Sequence, residues 1–217
     1  MLEGNYFDNY DEPSEGAYDN NSDGIVDTPY NIFGGYNQDL YPLIKPYGAQ
    51  FIDIDFEIGW NLITQPVYNN IDMSSDLALN ISGCLSVNSW DAENQTYRPY
   101  IVGGPPDFDF QINPGIGLFV DVSQNSTFTF VGIKLASYSI PLKIGWNLIG
   151  WYDMDTTMAS SIAENISDCV SVNAWDATNQ TYKPYIVGGP PDFDFVVKPG
   201  MGLFVDVTED SNWSGEG

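Results

Sequence analysis

From Phe51 to Ile58 the chain reads Phe-Ile-Asp-Ile-Asp-Phe-Glu-Ile, with apolar and polar residues alternating. A two-residue period predicts a strand with one dry and one wet face. Ser139 to Ile144 predicts a second such strand, and each is followed at once by an apolar run, Gly59-Trp60-Asn61-Leu62-Ile63 or Gly145-Trp146-Asn147-Leu148-Ile149. Short helical signals come next. Ser74 or Ser75 would cap a helix over Asp76 to Ile81, and Thr156 or Thr157 one over Met158 to Ile166. Strands are then expected at Cys84 to Trp90 and Cys169 to Trp175. Each would be hairpinned across an Asp-Ala-x-Asn-Gln turn to Thr96 to Val102 or Thr181 to Val187. Gly-Gly-Pro-Pro breaks the pairing, because proline has no N–H to donate. Phe108 to Ile112 with Gly117 to Val122, and Phe193 to Val197 with Gly202 to Val207, read as closing hairpins around Pro114-Gly115 and Pro199-Gly200.

The doubling is literal. Cys84 to Val122 and Cys169 to Val207 align without a gap and differ at 8 of 39 positions, and PYIVGGPPDFDF is identical in both. The expected fold is mainly β. Two tandem repeats of about 85 residues, each ββαββββ, would form small barrel or sandwich units related by a pseudo-twofold axis. Edge strands exchanged between the units, with Phe128 to Phe130 and the linker to Ile140 as candidates, would remove exposed edges. The expected division is 1–48, 49–134 and 135–217.

With 43% hydrophobic and 15% aromatic residues, the chain can bury a core. Thirty acidic residues against six basic ones give a net charge of −24. That argues against nucleic acid as a partner, since little could neutralise its phosphates, and disfavours an anionic membrane surface. No apolar run is long enough to insert in a bilayer. The start Met1-Leu2-Glu3-Gly4-Asn5 has neither the basic nor the apolar region of a signal peptide, so the chain reads as a piece of a longer protein. Sequons at Asn80, Asn94, Asn125, Asn165, Asn179 and Asn212 point to an extracellular, cell-surface setting with N-glycosylation.

Residues 1–48 are rich in Asn, Asp, Gly and Tyr and predict turns. Asp19-Asn20-Asn21-Ser22-Asp23-Gly24-Ile25-Val26-Asp27 fits D-x-[DN]-x-[DN]-G-x-x-D. Calcium takes six to eight oxygens. Asp19, Asn21 and Asp23 would supply alternate ligands, Ile25 its carbonyl, and Asp27 the ninth position. Asp8, Asp11, Glu12 and Glu15 are further donors. Position 12 is Tyr30, and Pro29 disfavours a following helix, so the loop resembles those of thrombospondin type 3 repeats and dockerins rather than a sensor EF-hand. The alternative is an Asx-rich turn with solvated acids.

Three blocks, Gly4-Asn5-Tyr6-Phe7-Asp8-Asn9-Tyr10, Asp23 to Tyr30 (DGIVDTPY) and Asp39-Leu40-Tyr41-Pro42-Leu43, together resemble the NYW-x-DY…DGIGDTPY…D-x-YPL motif of NosD-like archaeal surface proteins, especially of methanogens. Phe7 and Asn9 depart from it. The resemblance implies a parallel β-helix N-terminal to Met1. It does not carry over copper binding, because the chain has no histidine and no Cys/Met cluster. The GWNLI opening and PG-x-GLFVDV close also resemble a repeat found in archaeal and bacterial surface proteins, without implying a site.

Candidate chemistry in the repeats is sparse. Asp107 and Asp109, like Asp192 and Asp194, would share one face of an extended segment and contact a glycan or calcium, or simply form a wet face. Tyr100 and Tyr185, with Trp90, Tyr97, Trp175 and Tyr182, offer flat faces to sugar rings or serve as packing. Cys84 and Cys169 would meet as a disulfide on the axis or remain as two buried thiols. Paired carboxylates raise a glycosidase, but acids are too abundant to discriminate, and the absence of histidine excludes His-dependent triads and His-metal sites. The expectation is a non-enzymatic, calcium-stabilised structural or adhesive module whose partner is another cell-surface protein or glycan. A carbohydrate-binding module serving the upstream β-helix is the alternative.

Overall fold

The computed structural model describes residues 5–7, 9–21, 24–34, 36–45, 48–113, 115–135 and 139–215. It is 46% strand and 11% helix, built from small antiparallel sheets that do not close into a barrel. The chain divides into two compact units, Met1–Ala49 and Gln50–Gly217, and the two repeats together make up the second.

In the second unit each repeat is organised around a four-stranded sheet. Gly59–Thr64 pairs with Gly117–Val122, which pairs with Cys84–Asp91, which pairs with Thr96–Ile101. The second repeat repeats this with Gly145–Gly150, Gly202–Val207, Cys169–Asp176 and Thr181–Ile186. Alternation separates the two faces of each sheet. On one face Ile63, Val87, Leu118, Val120 and Val122 join Leu77, Ala78 and Ile81 beneath α1 (Ser74–Asn80) in a buried core. The second repeat has an equivalent core under α2 (Ala159–Asn165). On the other face Leu62 and Phe119 meet Leu148 and Phe204, and this cluster joins the repeats.

The asparagine of GWN fixes the turn that leads into the sheet. Asn61 Nδ2 donates to the carbonyls of Glu57 and Gly59 while its Oδ1 accepts from the Glu57 N–H, and Asn147 does the same with Lys143 and Gly145. The second glycine of PG-x-GLFVDV allows the repeats to approach. A Cβ at Gly117 would lie 2.6 Å from the Ile149 carbonyl oxygen, and one at Gly202 2.6 Å from that of Ile63.

Several sequence expectations are corrected. The closing hairpins do not form. Pro106–Phe108 and Pro191–Phe193 are 3-10 turns, and Gly117–Val122 and Gly202–Val207 are interior strands paired with distant segments. The reason is burial: Phe110 and Ile112, like Phe195 and Val197, drop into the cores below the helices. Val196–Val197 pairs with Thr157–Met158, and Gln111 forms a bridge with Met73. Pro114 lies outside the described residues. Among the described residues, no named strand is exchanged between the repeats. Ser126–Lys134 pairs within its own repeat with Ala49–Phe56 and Val67–Tyr68, and Ile140–Leu142 pairs with Ser211–Trp213. Loops cross instead: the Thr64 N–H donates to the Gly200 carbonyl and the Gly150 N–H to the Gly115 carbonyl. The helices are capped from outside. Met73 and Met158 occupy the N-cap positions without a side-chain bond. Asp109 accepts from the Ser74 and Ser75 hydroxyls and the Ser75 N–H, and Asp194 from the hydroxyl and N–H of Ser160.

Candidate functional site

The faces that join the repeats leave two clefts. In one, Phe204 forms the floor. Trp90, Tyr97, Trp146 and Tyr182 stand around it with ring planes inclined at 79°, 84°, 83° and 79° to its own. Pro184 and Asn173 complete a cavity of about 430 Å3. The pseudo-twofold axis generates the other, of about 480 Å3, in which Trp175, Tyr182, Trp60 and Tyr97 surround Phe119, with Pro99 and Asn88. Tyr97 and Tyr182 line both clefts, and each cleft needs residues from both repeats.

Sequence identity in the turn explains how the clefts are held. Gln95 and Gln180 adopt left-handed backbone with φ of 50°. The Gln95 side chain crosses to the other repeat, accepting from the Trp146 N–H and donating to the Trp146 carbonyl, and Gln180 treats Trp60 alike. The indole N–H groups of Trp90 and Trp175 donate to the same carbonyls, those of Trp146 and Trp60, each at 2.7 Å. The tryptophans are thereby fixed. Partial burial, and then the neighbouring Tyr182 hydroxyl, push the Tyr97 phenol well above its ordinary range, so it stays neutral.

The sugar-contact candidates are distributed differently. Tyr100 and Tyr185 pack against the two cores, on the sheet faces away from the clefts. Asp109 and Asp194 are spent on capping the helices. Burial pushes the Asp109 carboxyl up, but the hydrogen bonds from Ser74 and Ser75 outweigh it and hold the group below the usual carboxylate range. Asp107 and Asp192 are exposed in the 3-10 turns. Trp90, Tyr97, Trp175 and Tyr182 do line the clefts. Trp60, Trp146, Phe119 and Phe204 were missed, although their alternation within GWNLI and GLFVDV marks the face they share.

Cys84 and Cys169 are free, each against its own core, so the axial disulfide does not exist. Burial pushes both thiols up to about 11, which leaves little reactive thiolate at neutral pH. All six sequon asparagines are exposed.

In the first unit, Leu43 is where the three motif blocks meet. It is 4% exposed and forms bridges with Tyr6 and with Ile25. Asp39 adds ties from the Asn5 and Tyr41 N–H groups. The 19–27 loop turns at Gly24, with φ of +86°, whose N–H donates to Asp19 Oδ2 at 2.9 Å. Val26 points inward, 1% exposed. Asp27 closes the loop: its N–H donates to the Tyr18 carbonyl, and its Oδ2 accepts from the Asn20 backbone and side chain, which hold it below the usual carboxylate range. Asp11 accepts from the Tyr6 hydroxyl, and the Asp11 and Glu12 N–H groups donate to Glu15. Asp8 and Asp23 lie outside the described residues, and among the described residues no three acidic or cysteine side chains converge on a metal position. The donors that are present, carboxylate, amide and carbonyl oxygens, suit a hard cation in kind.

Among the described residues, no helix is long and apolar enough to cross a membrane. Compared with family models, with curated proteins and with solved structures, the chain matches none.

Proposed function

We propose that this chain is a non-enzymatic structural and adhesive module of a cell-surface protein, with its first unit stabilised by calcium and its second presenting two equivalent binding clefts to a glycan or to another surface protein. The observation that carries the reading is the fusion of two repeats around clefts that neither could form alone. Their walls are aromatic, and the residues that line them are Trp, Tyr, Phe, Pro and Asn, which suits holding a ligand. Asp19, Asn21, Asp23, Ile25 and Asp27 are the proposed calcium ligands, and the bound ion would cross-link a turn segment that has little core of its own. The six exposed sequons favour an extracellular setting.

Limited proteolysis and thermal unfolding with calcium or with a chelator test the calcium reading. The expected result is chelator-dependent cleavage within residues 9–45, reproduced by Asp19→Ala or Asp27→Ala, with 50–217 unaffected. Equal protection in calcium and chelator would overturn it.

A further inference from the structure

The geometry points to each cleft as an aromatic cage for an organic cation, a quaternary or methylated ammonium group. Four observations converge. First, in each cleft one phenylalanine is surrounded by four rings at 77–87° to it, with centroids 5.1–6.4 Å away. Rings that stand upright around a floor can turn their negative faces toward the space above it, and such faces attract an ammonium within about 6 Å of the centroids.

Second, the buried polar side chain lining each cleft offers only an acceptor. Asn173 is 7% exposed, and its Nδ2 donates to Ser171 Oγ and to the Phe204 carbonyl at 3.0 and 3.1 Å. A carbonyl cannot donate, so the amide orientation is set. Among the described residues, no hydrogen bond to Asn173 Oδ1 is formed. Asn88 repeats the arrangement with Ser86 and Phe119.

Third, the charges are complementary. The only cations on the two four-stranded sheets, Arg98 and Lys183, pair with Ser89 and Ala174, one residue out of phase with the cleft face. Asp121 and Asp206 lie in register with Trp60 and Trp146, on that face. The net charge of −24 adds a field that draws cations in.

Fourth, two indole donors of the cleft walls are engaged within the protein. The Trp90 and Trp175 indole N–H groups are already taken, so a pyranose would find tyrosine hydroxyls and one amide oxygen for its several hydroxyls. Cavities of about 430 and 480 Å3 lie within the small-molecule range.

This rests on reading the clefts as binding sites, and it is independent of the calcium proposal, which the chelator experiment tests separately. The experiment is titration of the full chain with choline and tetramethylammonium, followed by calorimetry and tryptophan fluorescence. The uncharged carbon isostere 3,3-dimethylbutan-1-ol and neutral oligosaccharides run alongside. The expected result is two equivalent sites, with choline bound about tenfold more tightly than the isostere at low salt. Trp146→Leu and Trp60→Leu should each reduce the stoichiometry to one. If either variant fails to fold by circular dichroism, the choline-to-isostere ratio on the unaltered chain still decides. Equal binding of choline and isostere would overturn the cation assignment. Oligosaccharide binding without choline binding would reassign the clefts to sugars and keep the binding role. No binding by any probe would overturn both.

Discussion

Thr64 and Gly150 are equivalent positions that meet across the pseudo-twofold axis, so the two repeats differ where they touch most closely. A Cβ on Gly150 would lie 2.0 Å from Thr64 Oγ1 and 2.1 Å from Thr64 Cβ. Carbon atoms sit at about 3.5–4.0 Å in contact, so a side chain there must push the seam apart by roughly 1.5 Å. Gly150→Thr alone should cost about 3 kcal/mol, the upper part of the range for overpacking. Thr64→Gly alone removes a fully buried side chain and its 2.6 Å hydrogen bond to the Ile116 carbonyl. Leaving that acceptor unmet, together with the void, should cost about 2 kcal/mol or more. The double variant Thr64→Gly/Gly150→Thr restores the same pair with the repeats interchanged, and the hydroxyl then faces the Met201 carbonyl in place of that of Ile116. It should recover most of the loss, with a coupling energy of about 2–3 kcal/mol. In thermal unfolding followed by circular dichroism, each single variant should melt roughly 4–12 °C lower and the double variant close to the parent. A double variant whose loss equals the sum of the singles within about 0.5 kcal/mol would refute the symmetric seam.

Asp109→Ala should destabilise by about 1–3 kcal/mol through loss of a charged cap, while Asp107→Ala, exposed in the same turn, should leave the melting temperature unchanged. The pH dependence follows from the lowered Asp109 pKa. Its contribution is full above the ordinary value of 3.8 and is lost as pH falls through the lower folded value, so the gap between parent and Asp109→Asn in acid titrations of stability should narrow below about pH 4. A gap that persists unchanged to pH 2 would contradict the cap. Reductant should not shift the melting temperature, since Cys84 and Cys169 are unbridged; a reductant-sensitive melt would restore the disulfide. Gln95→Ala and Gln180→Ala should each loosen one tryptophan, read as a red-shifted or more readily quenched emission, and an unchanged spectrum would argue against the cross-repeat clamp.

What the sequence determined was whatever is local or periodic. Alternation set the inward face of Ile52, Ile54 and Phe56, and the 39-residue duplication together with the two GWNLI segments made two like sheets. Turn residues placed the hairpin between Cys84–Asp91 and Thr96–Ile101. The turn within Asp19 to Asp27 was also legible, because Gly24 and the aspartate that accepts from its N–H lie within a few consecutive residues. Tertiary structure decided what depends on contacts between distant residues. Nothing local distinguishes Gly117–Val122 as an interior strand from a hairpin arm, because its partners lie more than 25 and 50 residues away. Asp109 reads as a wet-face carboxylate until α1 arrives beneath it. Alternation marks the aromatic face in each repeat, but nothing in either repeat alone shows that two such faces meet to form the clefts. The clefts arise because two closely similar aromatic faces, whose rings are too large to interdigitate completely, close on one another around an axis where glycine lets the backbones approach.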